Sequence, residues 1–498
     1  MLERRNLSQD ELHILAQDVA IACQAGDSIA LHGELGAGKT SFARAFIRYL
    51  AQSDIDVPSP TFSLVQHYDE LPIPVAHYDL YRLADESELD ELGLEEALSS
   101  SIALIEWPER AGDLLPSASL HMSIVIDELD ADRRHVSFNG PPTFLTRVEA
   151  SFSLRSFLRD QGYASATRQP LTGDASTRRY ETITGHEKQI LMVAPPQPDG
   201  PPVRDGLPYS KLAHLAEDIR PFVVVGSALC DIGIRAPSIG GFDIGQGLML
   251  LEDLGRGTVL DDDGAPVPDR YIGAGELLAF MHGKPFKKKL SARGLQHELA
   301  AYNLSIFQME AELLLDWYVP AETGKQPGSA MRDEFMAVLQ SLWSRLDTER
   351  FTILLRDYHS PNIVFDPTRH GTDQFGIIDF QDALWGPAAY DLMSLVHDAR
   401  VTVASELGGK IIEIYCALRL KSDAQFDVEA FADEAAICTA QRLCKILGIF
   451  HRLNTRDGKP AYLAHLPRVR GYIEEALKQP VLAPLNQWWQ ATGLGKDF

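Results

Sequence analysis

The chain has 498 residues, 45% apolar and 23% charged, with a formal charge of −24. Such ordinary globular composition excludes collagen, coiled coil and wholesale disorder, and at ~100–200 residues per domain the length suggests two to four domains. The charge is uneven: residues 1–150 hold 26 acidic against 10 basic side chains, the other 348 hold 44 against 36, which suggests two differently built modules and argues against direct nucleic-acid binding by the first, because phosphate contacts need clustered Lys and Arg.

The five cysteines (Cys23, Cys230, Cys416, Cys438, Cys444) form no CxxC pair. Neither a disulfide framework nor structural zinc is expected, and a reduced, cytoplasmic setting fits. The opening MLERRNLSQDEL has no apolar h-region, and no apolar run reaches the ~18–20 residues needed to cross a bilayer, so neither a cleaved signal peptide nor a membrane span is expected.

In chain order, DSIALH (27–32) reads as a strand running into a glycine-rich turn. KTSFARAFIRYL (39–50) then reads as a helix with Phe42, Ala45, Phe46 and Tyr49 on one face. Short apolar runs at 61–66, 73–78, 101–106, 121–127 and 134–138 alternate with helical stretches. The pattern predicts an α/β fold with a largely parallel sheet and flanking helices. Asn139-Gly140-Pro141-Pro142 breaks it, and a fresh helix is expected near Ser151. We place the module boundary at about residue 146. Strand-like runs follow at 177–184 and 189–194, then APPQPDGPPVRDGLP (194–208), which reads as an exposed loop. Helical periodicity dominates from Tyr271, interrupted by short strands at 351–380, and the Gly/Pro-rich 320–330 reads as a mobile loop. A small β-rich lobe (about 150–255) before a large helical lobe (about 256–498) is the bilobal outline of a kinase-like α+β domain.

Gly33-Glu34-Leu35-Gly36-Ala37-Gly38-Lys39-Thr40 matches GxxxxGK[ST] between a strand and a helix. Gly33, Gly36, Ala37, Gly38 and Ser41 are placed to cradle phosphates through backbone N–H groups. Lys39 is placed to reach the outer phosphates, and the Thr40 hydroxyl to ligate Mg²⁺. A nucleotide hydrolase also needs one carboxylate near Mg²⁺ and another to orient water, at the C-terminal ends of strands. Asp79, in HYDLYR, and Glu106, in EWPER, stand at such ends. The stretch Asp79–Glu96 holds eight carboxylates against Arg82 and reads as a solvated face or a docking surface for a basic partner.

Together GELGAGKT, SPTF (Ser59–Phe62), HYDLYR and EWPER resemble, over about residues 5–140, the TsaE family, the ATPase of bacterial tRNA threonylcarbamoyladenosine synthesis. The resemblance implies that Ser59-Pro60-Thr61 is the switch segment sensing the γ-phosphate. It also implies Asp79 near Mg²⁺, Glu106 as the catalytic carboxylate with Trp107 beside it, and TsaD and TsaB as partners.

A second constellation begins at LLRDYHSPNIVF (354–365), where Asp357 and Asn362 stand five apart as in a kinase catalytic loop; Ile377-Ile378-Asp379 follows. Asp357 is placed to accept the substrate hydroxyl proton, with Asn362 and Asp379 holding Mg²⁺ across the phosphates. Upstream, Gly173, Asp174 and Ser176 lie in a loop that can cover ATP phosphates. Leu250–Gly255, with Glu252 and Leu254, reads as an adenine-contacting hinge.

About 150–490 resembles the aminoglycoside phosphotransferase-like kinases, most closely those acting on the anomeric hydroxyl of N-acetylmuramate and N-acetylglucosamine (AmgK). The residues that carry this are GDASTRRY, LMVAPP, LLEDLG, RDYHSPN, IIDFQDALWGPAAYDL and HRLNTRDGKPAYLAHLP. The resemblance implies Asp357 as base, Asn362 and Asp379 as metal ligands, and Asp391 as an organiser of the catalytic region. Met192 stands where most kinases carry the phosphate-gripping lysine, and Lys188, Arg178 or Arg179 are the nearby cations. Arg452 and Arg456 are candidate partners for a sugar acid. The chain thus reads as a fusion of an ATPase with an amino-sugar kinase. A kinase of the aminoglycoside or choline type, or a nucleotide-binding scaffold without turnover, are the alternatives.

Overall fold

The structure, a computed structural model, describes residues 2–83, 92–171, 178–196, 200, 202–204 and 206–494. It divides into two compact units, Met1–Val193 and Ala194–Phe498.

The first unit opens with β1 (Leu2–Leu7) and α1 (Gln9–Ala22). Ser8 and Glu11 start α1 with a capping box: Glu11 N–H donates to Ser8 Oγ (3.2 Å) and Ser8 N–H to Glu11 Oε2 (2.8 Å). Then come β2 (Ser28–His32), α2 (Lys39–Ala51), β3 (Val65–Tyr68), β4 (Val75–Asp79), α3 (Leu94–Ala97), β5 (Ile102–Glu106), β6 (Leu120–Ile126), β7 (Arg134–Asn139) and α4 (Pro142–Asp160). Seven strands form one sheet in the order β1-β7-β6-β2-β5-β4-β3. Its centre is parallel (β2 with β5 and β6, β4 with β5) and its flanking pairs are antiparallel. Successive residues alternate between two cores. Val75, Ile102 and Leu104 join Phe42, Phe46, Leu15 and Val19 on one side. Ala76, Tyr78, Ala103 and Ile105 meet Leu80 and Leu94 on the other. A sheet covered on both faces places its catalytic groups at strand ends rather than on a face. The unit closes with an antiparallel meander, β8 (Thr167–Leu171), β9 (Arg179–Thr184) and β10 (Lys188–Val193).

The second unit begins with β11 (Pro202–Arg204) and β12 (Leu207–Pro208), then a short helix, α5 (Tyr209–Leu212), and α6 (Arg220–Asp231). The hairpin of β13 (Ile239–Asp243) and β14 (Leu248–Glu252) precedes α7 (Pro268–His282). Next are the hairpin of β15 (Lys289–Ala292) and β16 (Leu295–Glu298), then α8 (Leu304–Leu313), α9 (Val319–Thr323) and α10 (Ser329–Trp343). The short strands β17 (Thr352–Leu354), β18 (Ile363–Phe365), β19 (Phe375–Ile377) and β20 (Leu384–Gly386) pair as β17–β20 and β18–β19. The helices α11 (Ala389–Val396), α12 (Ser405–Ser422), α13 (Val428–Thr455), α14 (Leu466–Ala476) and α15 (Ala483–Ala491) follow. α13 is the unit's longest described helix and buries sixteen residues. Gly448 lets it approach α8, since a Cβ there would lie 2.1 Å from the Leu313 carbonyl oxygen.

Several expectations are corrected. Residues 61–64 are turn, not strand: Leu64 has φ +62° and its N–H donates to the Pro60 carbonyl (2.7 Å), so β3 starts at Val65. The helix expected near Ser151 starts at Pro142, because a proline at the first helical turn is pre-set for helix rather than opposed to it. It runs through residue 146. Within 194–208 the described residues form the small β11–β12 hairpin. Of 320–330, residues 320–323 are helical and α10 has begun by 329. β1, β8 and the β15–β16 hairpin were not predicted. Of the acidic stretch, 84–91 lie outside the described residues, and Glu95 and Glu96 are exposed on α3.

Candidate active sites

The first site lies at the C-terminal ends of β2, β4 and β5. Gly33 (φ +147°) ends β2 with no room for a side chain, as a Cβ would sit 2.4 Å from the Ile124 carbonyl oxygen. Gly36 and Gly38 also have positive φ (80° and 113°), curling the loop into the N-terminus of α2. Lys39 is buried, its Nζ donating to the carbonyls of Gly33 (2.6 Å) and Glu34 (3.0 Å) and lying 3.7 Å from the centre of the Trp107 ring. Burial lowers its pKa, against the opposing charges of Glu106, Glu109 and Asp79. Trp107 reaches this position through a left-handed backbone (φ +57°), a strained conformation for a bulky residue.

Asp79 and Glu106 are directly paired across the parallel β4–β5 ladder. Both are nearly fully buried, at 3% and 2% exposure. The Thr40 hydroxyl donates to Glu106 Oε2 (2.9 Å), and His77 Nε2 sits 2.9 Å from Glu106 Oε1. Asp79 Oδ2 accepts from the Ser59 hydroxyl (2.7 Å) and the Thr61 hydroxyl (2.6 Å), and Oδ1 from Tyr81 N–H (3.2 Å). A cavity of about 310 Å³ is lined by Gly36, Gly38, Lys39, Thr40, Ser41, Thr61, Asp79, Glu106 and Trp107. The chemistry of the donor set fits magnesium and a nucleotide: a hydroxyl and two carboxylates offer hard oxygens, and a lysine and turned backbone amides face phosphate.

Two contributors escape sequence reasoning. His77 orients Glu106; its signal is the i, i+2 relation to Asp79, which puts both on one face of β4. Arg134, from β7, donates from Nε to the Ala37 carbonyl (2.8 Å) and so supports the loop from 97 residues away; no local pattern announces it.

The second site lies where β17 and β18 bracket the segment 355–362. Asn362 Nδ2 donates to the Asp357 carbonyl (2.9 Å), closing that loop. Ile378 N–H donates to the Asn362 carbonyl (3.1 Å), which brings the start of the Asp379 turn beside it. Asp379 has φ +61°, a left-handed position that Asp tolerates. Gln381 Nε2 donates to its Oδ1 (2.9 Å). Asp357, Asn362 and Asp379 therefore share one pair of adjoining turns, and an amide with two carboxylates fits magnesium on phosphates.

Buried groups hold this loop. Asp391 accepts the N–H of Leu355 (2.7 Å) and of Arg356 (2.9 Å), while burial pushes its carboxyl up to about 7. Arg356, at φ +73°, pairs with the fully buried Glu310 and donates to the Ala213 carbonyl (2.9 Å). Lys445 Nζ donates to the same Glu310 oxygen (2.8 Å). Desolvation by the surrounding protein opposes ionisation of Asp357, although its side chain is exposed, and the neighbouring groups, His359 and Lys445 foremost, hold its carboxyl below the usual aspartate range. It is thus held in its ionised form. The triad Arg356–Glu310–Lys445 spans 135 residues and is not legible locally.

Glu252 ends β14, its N–H donating to the Ser238 carbonyl (2.9 Å). Leu254 is buried against β19: a Cβ at Gly376 would meet its Cδ1 at 2.8 Å. The hinge segment therefore adjoins the strand leading to Asp379. Gly173, Asp174 and Ser176 lie outside the described residues. Met192 is buried in β10. Arg456 is committed to Asp457 (2.7 Å), whereas the Arg452 guanidinium lies 5.7 Å from the Tyr209 ring centre.

Comparison with known proteins agrees with this geometry. The family described as "Threonylcarbamoyl adenosine biosynthesis protein TsaE" matches residues 7–136, and the "Phosphotransferase enzyme family" matches 167–431. The N-acetylmuramate/N-acetylglucosamine kinase of Caulobacter vibrioides is 34% identical over 349 residues, 67% of this chain and 94% of that protein. The chain belongs to both families. A second kinase of the same description, from Pseudomonas putida, is 30% identical over 345 residues, 67% of this chain and 91% of that protein. The TsaE protein of Rickettsia bellii is 39% identical over 127 residues, 26% of this chain and 87% of that protein. A TsaE module thus precedes an amino-sugar-kinase-like phosphotransferase module. No helix among the described residues is long and apolar enough to cross a membrane.

Proposed function

We propose that the chain is a bifunctional cytosolic protein with its module boundary near residue 146. The first module hydrolyses ATP in support of tRNA threonylcarbamoyladenosine formation. Lys39 and the loop amides bind phosphates, Thr40 and Asp79 hold Mg²⁺, and Glu106, oriented by His77, positions the attacking water. Magnesium supplies charge neutralisation at the phosphates. Contact with TsaD- and TsaB-type proteins is supported by the exposed Leu35 (79%) and Tyr81 (45%) lining the cavity, and by exposed Phe62 (85%) next to its Thr61. Such an apolar rim on an acidic module suits protein better than RNA.

The second module phosphorylates the anomeric hydroxyl of N-acetylmuramate or N-acetylglucosamine. Asp357 accepts the hydroxyl proton, Asn362 and Asp379 hold Mg²⁺ on ATP, and Glu252 and Leu254 border the adenine. The observation that carries this reading is the convergence of Asp357, Asn362 and Asp379 on adjoining turns in a chain whose relatives are amino-sugar kinases. The test is a sugar panel with ATP, with product linkage determined by NMR. Sugar 1-phosphate is expected from the full-length protein and none from Asp357→Asn. Absence of sugar phosphorylation at millimolar substrate refutes the kinase half. Lys39→Ala is expected to remove support of tRNA modification in a TsaD- and TsaB-containing assay while the sugar-kinase kcat persists.

A further inference from the structure

The residues of the two family matches meet inside the first unit, through a polar interface with no exposed members. α1 buries seven side chains, and Asp18 is the charged one among them. Its carboxylate lies at 1% exposure between two arginines. Arg155, from α4, grips it from Nε (2.9 Å) and Nη2 (2.8 Å). Arg168, from β8, is itself fully buried and donates from Nη1 to Asp18 Oδ1 (2.9 Å) and to the carbonyl and hydroxyl of Ser151 (2.9 and 3.0 Å). The rest of its guanidinium forms a bidentate pair with Glu181 of β9 (2.7 and 2.9 Å). Two carboxylates and two guanidinium groups thus balance in charge, with nearly every donor used. A buried charge is tolerated only when paired in this way.

β8 and β9 fall within the phosphotransferase match and α1 and α2 within the TsaE match. A second bond joins them: the Tyr49 hydroxyl, on α2, donates to the backbone carbonyl of Arg168 (2.5 Å). α2 is the helix that begins at Lys39 and Thr40. Tyr49 lies ten residues on, about 15 Å along a rigid rod. Beside this contact a groove of about 510 Å³ has Ser41, Arg44 and Arg48 on one wall and Thr167 and Gln169 on the other. β8 leads straight into the segment 172–177, whose residues the sequence reads as a phosphate cover.

We propose that Arg168 and Tyr49 dock the first strands of the kinase module onto α1 and α2 of the ATPase module, so that nucleotide held at Lys39 and Thr40 stiffens β8 and β9. The surface is an intramolecular one. Its partner is a strand pair presenting a buried arginine to an aspartate. It rests on the two-module reading above, and it adds that the modules share a scaffold.

The test is hydrogen–deuterium exchange on the full-length chain with saturating Mg–ADP, comparing the unsubstituted protein with Lys39→Ala. The kinase site is filled in both, so their difference reports P-loop occupancy alone. Exchange in 167–171 and 179–184 is expected to be at least threefold slower in the unsubstituted protein. That difference is expected to vanish in Arg168→Met and to shrink in Tyr49→Phe, which deletes a single hydroxyl and serves if Arg168→Met fails to fold. Protection of 33–41 with 167–184 unchanged overturns the proposal. No protection at 33–41 overturns the nucleotide-site reading instead.

Discussion

Glu310→Gln is the sharpest probe of how the kinase site is held. Glu310 is fully buried and takes four donors: Arg356 and Lys445 on Oε1, and the Tyr302 hydroxyl and Gln441 amide (both 3.2 Å) on Oε2. Burial alone would raise its pKa, but Lys445 and Arg356 hold it down to about 2, from an ordinary 4.5. At about 1.4 kcal/mol per unit, this corresponds to about 3 kcal/mol of stability. Its sign is fixed: a depressed folded-state pKa means stability fully present above pH 4.5 and lost as pH falls toward 2. Glutamine keeps the shape but leaves two cations buried without a counter-charge, a cost of about 3–5 kcal/mol. Urea unfolding followed by tryptophan fluorescence isolates the second unit, which holds all the tryptophans except Trp107. The variant should lose about 3 kcal/mol at pH 7 and only a small part of that near pH 2, where about half of the native glutamate is itself protonated. Because Arg356 immediately precedes Asp357, kcat for sugar phosphorylation should fall as well. Equal stability at pH 7, or a gap that does not close with acid, refutes the argument.

At the other site, Glu106→Gln removes the carboxylate bound by Thr40 and His77, and ATP hydrolysis with the partner proteins should fall about 100-fold or more, with the sugar-kinase kcat unchanged. Gly33→Ala forces a Cβ against the Ile124 carbonyl at positive φ; a loss of at least about 2 kcal/mol from the first unit, read by thermal unfolding, is expected. Arg452→Ala should raise KM for N-acetylmuramate about tenfold and leave that for N-acetylglucosamine within about twofold, because only the former carries a carboxylate and a charged hydrogen bond amounts to about 1.5–3 kcal/mol. Arg452 is the better candidate than Arg456 because its Nε is buried with no hydrogen-bond partner among the described residues. Equal KM changes for both sugars would refute that assignment.

What could be read from the sequence follows how local each feature is. The P-loop is contiguous, and its glycines are dictated by backbone shape within eight residues. Asp357 and Asn362 share one loop, so their spacing survives in the sequence. Asp79 and Glu106 are 27 residues apart but are both marked by strand ends, a local signal. His77, Arg134 and the Glu310 triad are selected by contacts 29 to 135 residues distant, and a lone histidine or arginine in a strand looks like any other. β1 is hidden for a related reason: LERRNL has no clean alternation, and it becomes the edge strand by pairing with β7. The helix start at Pro142 is ambiguous in the sequence, because proline both breaks regular structure and pre-sets the first helical turn.

The charge asymmetry of the chain also acquires a physical meaning. An acidic ATPase module gains nothing from approaching RNA alone, and exposed Leu35 and Tyr81 line the cavity where ATP chemistry is proposed. Asp18 is a fully buried acid of this module, and one of the two arginines that neutralise it, Arg168, comes from the other family match. Under the proposed assignments each site has its own metal-binding carboxylates, so Lys39→Ala and Asp357→Asn should separate the two reactions. The two family matches nonetheless share one buried network in the first unit, since loss of Arg168 leaves Glu181 without its bidentate partner and Asp18 with Arg155 alone.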